Sequence, residues 1–214
     1  MNKIYKLIYK IQFNVIREPH FHFYSIVLKA KDNVYIEGYW QSEKYFKDIE
    51  AVIRREFTVK NELQGKNKEV AQQILDTLSV AIHIRRGDYI SNPLTAKLHN
   101  TCSLEYYQQA INIFVGKVKD PHFFIFSDDP AWLQKNMVLQ YPITHVNHNK
   151  ADKDCEDLRL MSMCKHNIIA NSSFSWWGAW LNNNPDKIVV APKKWFNDDS
   201  YNTKDLLPES WIKI

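Results

Sequence analysis

The sequence predicts an α/β fold in which a parallel sheet carries helices on both faces. From about residue 33 onward, short β-type runs alternate with amphipathic helical segments, and such alternation is typical of parallel sheets covered by helices. Three of the β-type runs end in clusters of polar residues. Because ligands of open α/β sheets bind beyond the carboxyl ends of the strands, we expect a ligand site along one edge of this sheet.

The elements of the alternating region follow from periodicity and from capping residues. Strands are expected over 33–40, 79–85, 122–127, 143–146, 167–170 and 187–191, and helices over 42–57, 67–78, 103–118, 155–164, from Pro130 onward and from Ser173 onward. Ser42 is the expected N-cap of the first helix, and the apolar residues from Tyr45 to Phe57 form one stripe along it. Pro130 suits the first position of a helix that follows an aspartate cap. Residues 61–69 are the best candidate for a linker.

The basic N-terminal segment is predicted to be a helix. Its apolar residues Ile4, Leu7, Ile8, Ile11 and Val15 fall at helical spacing. We expect this helix to pack on its own domain. The alternative is a basic amphipathic helix that lies on an anionic membrane surface, which would make the protein peripheral on the inner membrane.

Composition excludes several classes of protein. The 214 residues are 45% hydrophobic and 24% charged, as in ordinary globular domains. A net charge of +4, spread along the chain, is too small to predict nucleic-acid binding. Three cysteines without a CxxC pair favour a reducing, cytoplasmic compartment. The five glycines are placed so that neither GxGxxG nor a phosphate-binding P-loop is present.

Three polar clusters follow predicted strands: Arg85-Arg86-Gly87-Asp88, Ser127-Asp128-Asp129 and Asn171-Ser172-Ser173-Phe174-Ser175. If the sheet is parallel, all three gather at one edge. Arginine forks match phosphate oxygens, and the N–H groups of a helix N-terminus complete an anion site. The simpler alternative pairs Arg86 with Asp88 and uses the serines as helix caps. Asp128 and Asp129 suit a helix cap better than a metal site, so no metal is predicted.

Long motifs in the chain resemble the bacterial α-1,2-fucosyltransferases of glycosyltransferase family 11. The resemblance rests on "HIRRGDY", "FFIFSDDPAW" and "DLRLMSMCKHNIIANSSFSWWGAWL", and on "GYWQSEKYF" in the middle of the family's sequence. It implies two Rossmann-like lobes of the GT-B type, GDP-fucose as donor substrate, and inverting transfer of L-fucose to the 2-hydroxyl of a galactoside in glycan or lipopolysaccharide biosynthesis. No cofactor is expected beyond this donor, and no nucleic acid.

The resemblance also assigns roles to individual residues. It places His83, Arg85, Arg86 and Asp88 in the donor-binding HxRRGD motif. The two arginines would hold the diphosphate and act catalytically on the leaving GDP, with Asp88 in an orienting role beside them. Asp157 stands where related enzymes set a carboxylate against guanine. The segment that wraps the phosphates would comprise Asn171, Ser172, Ser173, Phe174 and Ser175.

The start of the family's first lobe has no counterpart in this sequence, since the family opens with a glycine-rich strand, turn and helix. We therefore expect residues 1–60 to form a partial acceptor-side lobe and residues 70–214 to form the GDP-fucose-binding lobe. The alternative to a fucosyltransferase is a GDP-fucose-binding remnant or one subunit of a split enzyme with little turnover. A partner or a second copy of the chain would then supply the missing wall. The acceptor glycan and the general base stay open.

Overall fold

The computed structural model describes residues 14–150 and 153–214. The chain divides into two compact units. One comprises residues 1–49 and 200–208, and the other comprises residues 50–199 and 209–214. The assignment of an acceptor-side lobe to residues 1–60 stays a prediction.

The first unit holds a small parallel sheet and several 3-10 turns. Strands β1 (Asn14–Arg17) and β2 (Val34–Glu37) pair in parallel. The 3-10 turns are Ser25–Lys29, Glu43–Tyr45 and Lys47–Ile49. The N-terminal helix predicted over 4–15 falls outside the described residues as far as residue 13. Its last part is wrong, because Val15 is in β1.

The predicted helix over 42–57 is also wrong for its first half. Ser42 does cap, since its Oγ accepts a hydrogen bond from the Lys44 backbone N–H at 3.3 Å, but the cap opens a 3-10 turn. The Ser42 hydroxyl also donates to the backbone carbonyl of Asp205 at 2.7 Å, and the Asp205 carboxylate binds the Lys44 ammonium at 2.6 Å. These tertiary bonds determine the local backbone in place of helical periodicity. A regular helix, α1, forms only over Glu50–Glu56.

The second unit is the predicted α/β domain. After α1, its elements in chain order are α2 (Gly65–Asp76), β3 (Ser79–Ile84), α3 (Gly87–Ser91), α4 (Pro93–Leu98), α5 (Leu104–Val115), β4 (His122–Ser127), α6 (Pro130–Asn136), β5 (Ile143–Val146), α7 (Asp154–Met163), β6 (His166–Ile168), α8 (Ser173–Leu181), β7 (Val189–Ala191) and β8 (Ile212–Lys213). The short helices α3 and α4 and the last strand β8 were not predicted. The linker predicted over 61–69 is shorter, because α2 begins at Gly65.

The six strands of this sheet are all parallel and lie in the order β5-β4-β3-β6-β7-β8. Numbered along the sheet, this is the Rossmann order 3-2-1-4-5-6, so the α/β prediction is confirmed. The chain reverses its direction of winding between β3 and β6. The crevice beyond the carboxyl ends of these two strands is where such sheets bind ligands.

Helices cover both faces of the sheet. Successive side chains of each strand point to opposite faces, so each strand contributes to both buried layers. Val80, Ile82 and Ile84 of β3 pack with α5 in one buried cluster. Ala81 faces the other side, where it packs with residues of α2 and α7. The central strand is therefore buried on both faces, and only its carboxyl end is available for chemistry. No helix within residues 14–150 and 153–214 is long and apolar enough to cross a lipid bilayer.

Candidate functional site

Arg85 leaves the carboxyl end of β3 and is held by two carboxylates. Its Nη2 lies 2.6 Å from Asp88 Oδ1, and its Nη1 lies 3.1 Å from Asp128 Oδ2. The guanidinium carbon also lies 5.7 Å from the centre of the Tyr89 ring. The side chain is 35% exposed, so the guanidinium is oriented by the protein and still reaches solvent at the edge of the sheet.

Arg86 is more enclosed and makes different contacts. Its Nε donates to Asp129 Oδ2 at 3.2 Å, and its guanidinium stacks on the Trp132 ring at 4.2 Å from the ring centre. The Asp129 carboxylate also accepts from the Trp132 backbone N–H and so caps α6, as predicted. The simple pairing of Arg86 with Asp88 is wrong, because Asp88 binds Arg85 instead.

Asp128 links the two arginines. Its Oδ1 accepts the Arg86 backbone N–H at 2.8 Å, while its Oδ2 binds the Arg85 side chain. Gly87 leaves room for this carboxylate, since a Cβ at this position would lie 2.9 Å from Asp128 Oδ2. We call Arg85, Arg86, Asp88, Asp128 and Asp129 the arginine cluster.

The segment that follows β6 forms the N-terminus of α8. Ser172 is the N-cap, with extended backbone, and the first intrahelical bond joins the Trp176 N–H to the Ser172 carbonyl at 3.0 Å. The N–H groups of the preceding first turn, which includes Ser173 and Phe174, have no helical acceptor of their own. Ser173 is exposed, whereas the buried Ser175 hydroxyl donates to the carbonyls of Ala170 and Ser172. Ser175 therefore shapes the turn, and Ser173 is the hydroxyl that can meet a ligand.

Asn171 holds this turn in place. Its buried side-chain amide donates to the backbone carbonyls of Asn100 at 2.7 Å and Trp195 at 3.0 Å. The Asn171 carbonyl accepts the Tyr89 hydroxyl at 2.9 Å, which joins α3 to the end of β6. Burial raises the pKa of Tyr89 to about 12, so this hydroxyl stays a donor. The side-chain amide and the carbonyl of Asn171 are thus used in bonds within the protein, which tie the segment after β6 to Tyr89 of α3, to Asn100 and to Trp195.

His83 is the residue before the last of β3 and is 5% exposed. Its ring lies 5.5 Å from that of Phe174, between centres. Burial lowers the pKa of His83 to about 4, with the Asp128 charge opposing this shift and the Arg85 charge adding to it. The imidazole is therefore neutral near pH 7. Its Nδ1 is buried and has no hydrogen-bond partner within the described part of the chain.

Asp157 lies in the first turns of α7, which follows the carboxyl end of the parallel strand β5 and so begins on that side of the sheet. Its Oδ1 accepts a hydrogen bond from Asn149 Nδ2 at 2.7 Å. Burial raises the pKa of Asp157 to about 6, and the Asn149 bond opposes the shift, while the charges of Asp154 and Glu156 add to it. The carboxylate is therefore close to its ionisation midpoint in mildly acidic solution.

The structure gives two residues a larger part in the site than the sequence pattern indicates. The pattern explains Asp128 as part of a helix start and Gly87 as a member of a motif. Both are recoverable from register, because β3 pairs with β4 so that Ile84 lies opposite Ser127, and the next residues of the two chains then meet. Among residues 14–150 and 153–214, no three His, Cys, Asp or Glu side chains are grouped so that they could hold a metal ion. Donor binding by the predicted residues stays a prediction.

The sequence model described as Glycosyl transferase family 11 matches residues 2–214. The chain belongs to this family. An alpha-1,2-colitosyltransferase of Escherichia coli is 40% identical over 186 residues, which cover 86% of this chain and 63% of that protein. The O-antigen biosynthesis glycosyltransferase WbnK of the same species is 43% identical over 136 residues, 64% of this chain and 44% of WbnK.

A mammalian protein is also similar. The galactoside 2-alpha-L-fucosyltransferase SEC1 of Bos taurus is 29% identical over 158 residues, which cover 69% of this chain and 42% of that protein. The chain therefore spans less than two thirds of the length of each of these three relatives. The resemblance drawn from the motifs is confirmed at the level of the family.

Proposed function

We propose that this chain binds GDP-fucose and transfers L-fucose, with inversion, to the 2-hydroxyl of a galactoside. The observation that carries the proposal is the arginine cluster beside the N-terminus of α8, at the point where the sheet reverses its winding. This is the place where sheets of this order bind phosphorylated ligands. The relatives, which include galactoside fucosyltransferases, supply the sugar and the acceptor class.

The chemistry asks for positive charge beside the leaving group. When the bond between fucose and the β-phosphate breaks, negative charge grows on the phosphate oxygens. A preorganised cation at that position binds the transition state more strongly than the ground state. Each guanidinium has five N–H donors, and the ion pairs of Arg85 to Asp88 and Asp128 occupy only part of them. The carboxylates therefore orient the forks and leave donors for the diphosphate.

Base recognition is assigned to Asp157. An ionised carboxylate accepts both the N1 and N2 protons of guanine, whereas uracil offers no such pair of donors. The position of Asp157 at the carboxyl edge, and its single hydrogen bond from Asn149, support this assignment. We also propose that the reaction needs no metal, since two guanidinium groups can neutralise the diphosphate.

A second donor sugar is favoured by one observation, the 40% identity to an alpha-1,2-colitosyltransferase. Colitose is L-fucose without its 3-hydroxyl, so GDP and the reacting carbon are unchanged. Parallel assays with GDP-fucose and GDP-colitose at equal concentration decide between them. A site that hydrogen-bonds the 3-hydroxyl rejects the deoxy sugar strongly, because buried polar groups would be left unpaired.

The proposal is tested in two steps. Titration calorimetry with GDP, UDP and a short oligonucleotide should give binding for GDP, weaker binding for UDP and none for the oligonucleotide. Radiolabelled GDP-fucose is then incubated with lactose, and in parallel without acceptor. Label transferred to lactose supports the transferase, whereas GDP binding with no transfer and no release of fucose favours the alternative of a donor-binding subunit. Equal affinity for GDP and UDP would contradict the donor assignment.

A further inference from the structure

A chain of side-chain amides leads to Asp157 from outside the arginine cluster. Asn149 Nδ2 donates to Asp157 Oδ1 at 2.7 Å. Asn149 and Asn67 form a reciprocal amide pair, with both N–O distances at 2.9 Å. His148 Nε2 lies 2.7 Å from Asn67 Oδ1. Asn67 comes from the first turn of α2, and α2 packs against α7, which carries Asp157.

The direction of every bond in this chain follows from the carboxylate. An ionised carboxylate only accepts, so Asn149 must present its NH₂ group to Asp157. The Asn149 oxygen then faces the NH₂ group of Asn67, and the Asn67 oxygen is left as an acceptor for His148. His148 must therefore carry its proton on Nε2. Its Nδ1, which has no partner within the described residues, is then the unprotonated nitrogen.

We infer that Asn149, held by Asn67 and His148, is a positioning residue for recognition of the nucleotide base. The inference rests on the proposed role of Asp157. Asn149 binds one carboxylate oxygen, Oδ1, and so turns the other oxygen and the remaining lone pair of Oδ1 toward the base. It also stabilises the ionised form of the carboxylate, which is the form that accepts two protons from guanine.

Charged groups around the network oppose this effect. Asp154 and Glu156, on the same helix, act on Asp157 and favour its protonated form, as burial does. Around His148, the Lys66 charge and burial favour the neutral imidazole, whereas Glu69 opposes them. A neutral His148 that donates from Nε2 leaves Nδ1 unprotonated, in keeping with its lack of a hydrogen-bond partner among the described residues. Asn149 favours the ionised form of Asp157, whereas burial, Asp154 and Glu156 all favour the protonated form.

The test uses the full chain with Asn149→Ala, Asn149→Asp and Asn67→Ala. The aspartate keeps the shape of the amide but sets a second negative charge against Asp157. The control is Asn112→Ala on α5, which removes an exposed hydrogen bond between Gln108 and Asn112. Binding of GDP and of UDP is measured by calorimetry from pH 5 to pH 8. Titration of the Asp157 carboxyl is followed by ¹³C NMR in the ligand-free protein.

We expect Asn149→Ala to weaken GDP binding about tenfold at pH 7, as is usual for loss of a hydrogen bond to a charged group. The affinity for UDP should be unchanged. Asn149→Asp should weaken GDP binding further. Asn67→Ala should weaken it less, because Asn149 then keeps its hydrogen bond to Asp157 but loses the amide pair that holds it. The pH below which GDP binding is lost should rise from about 6 in the wild type. The control should match the wild type.

The possible failures are distinguishable. If the wild type binds GDP and UDP equally, the proposed recognition of guanine by Asp157 is overturned. The role of Asn149 in base recognition is then overturned as well. If the wild type prefers GDP, but neither the preference nor the Asp157 titration changes in the two Asn149 variants, the positioning role is overturned and the proposed function stands. An altered titration together with a lost GDP preference supports both.

Discussion

Substitution of Gly87 by alanine tests whether the geometry of the arginine cluster matters for donor binding. The added Cβ would lie 2.9 Å from Asp128 Oδ2 and 3.2 Å from Cγ, whereas ordinary van der Waals contact begins at 3.4 Å. The carboxylate must therefore move by about half an ångström. Asp128 cannot turn freely, because its oxygens bind the Arg86 backbone N–H at 2.8 Å and the Arg85 side chain at 3.1 Å.

The cost of this movement is modest for folding and larger for binding. A hydrogen bond to a charged group contributes ~1.5–3 kcal/mol, but these groups are about one third exposed or less, and solvent screening reduces the figure to about 1 kcal/mol. We expect the melting temperature of Gly87→Ala to fall by about 2–4 °C. Displacement of Arg85 should weaken GDP binding about tenfold, which corresponds to ~1.4 kcal/mol.

The matched control is Gly116→Ala. Gly116 follows α5 with helical backbone angles, and its Cβ would meet nothing closer than 3.5 Å. Melting curves by circular dichroism and calorimetry with GDP are recorded for both variants. If Gly87→Ala melts cooperatively and binds GDP as tightly as Gly116→Ala, the arginine cluster does not hold the diphosphate in the way we propose.

Further predictions concern charge and pH. Arg85→Lys keeps the charge but loses the planar fork, so turnover with GDP-fucose should fall more than GDP affinity; equal losses, measured by kinetics and calorimetry, would mean that Arg85 only binds. Asp157→Ala should remove the preference of the wild type for GDP over UDP, and wild-type GDP binding should decline as pH falls through about 6 because the carboxyl becomes protonated; a preference that survives in the variant would contradict guanine reading. The native pKa of His83 is about 4, below that of an unfolded histidine, so only the unfolded state gains this proton as pH falls from about 6.5. Stability should then decline toward pH 4, and His83→Gln should have a smaller pH slope in thermal melts if it folds. GDP affinity and turnover should persist in excess chelator, and a strict requirement for Mg²⁺ would contradict a metal-free site.

Local pattern determined much of the second unit. The predicted strand over 79–85 is β3, and the runs that begin at His122 and Ile143 are β4 and β5 with the expected bounds. β3 and β4 are mostly apolar because both are buried on both faces, so their signal in the sequence is strong. The capping residues Ser103 and Asp129 were also readable, since a cap is a bond between near neighbours in the chain.

Residues 42–57 show where local pattern fails. The apolar residues of 42–57 have helical spacing, yet Ile49, Val52 and Phe57 are 51%, 42% and 50% exposed, and the chain forms 3-10 turns before α1. Bonds to Asp205, far along the sequence, decide the backbone at Ser42. Spacing alone carries no information about such a partner.

The residues of the site were determined largely by sequence, and their pairing by tertiary structure. The motifs single out both arginines without any coordinates, because motif and strand end coincide, and the resemblance to the family singles out Asp157. Only the parallel register of β3 and β4 brings Asp128 against both arginines. Similarly, Asn67 lies where the predicted linker over 61–69 meets the predicted helix over 67–78, and only the packing of α2 on α7 brings it into the network that reaches Asp157 through Asn149. Hydrogen bonds between residues more than 80 positions apart, as between Asn67 and Asn149, arise from packing, which no local spacing records.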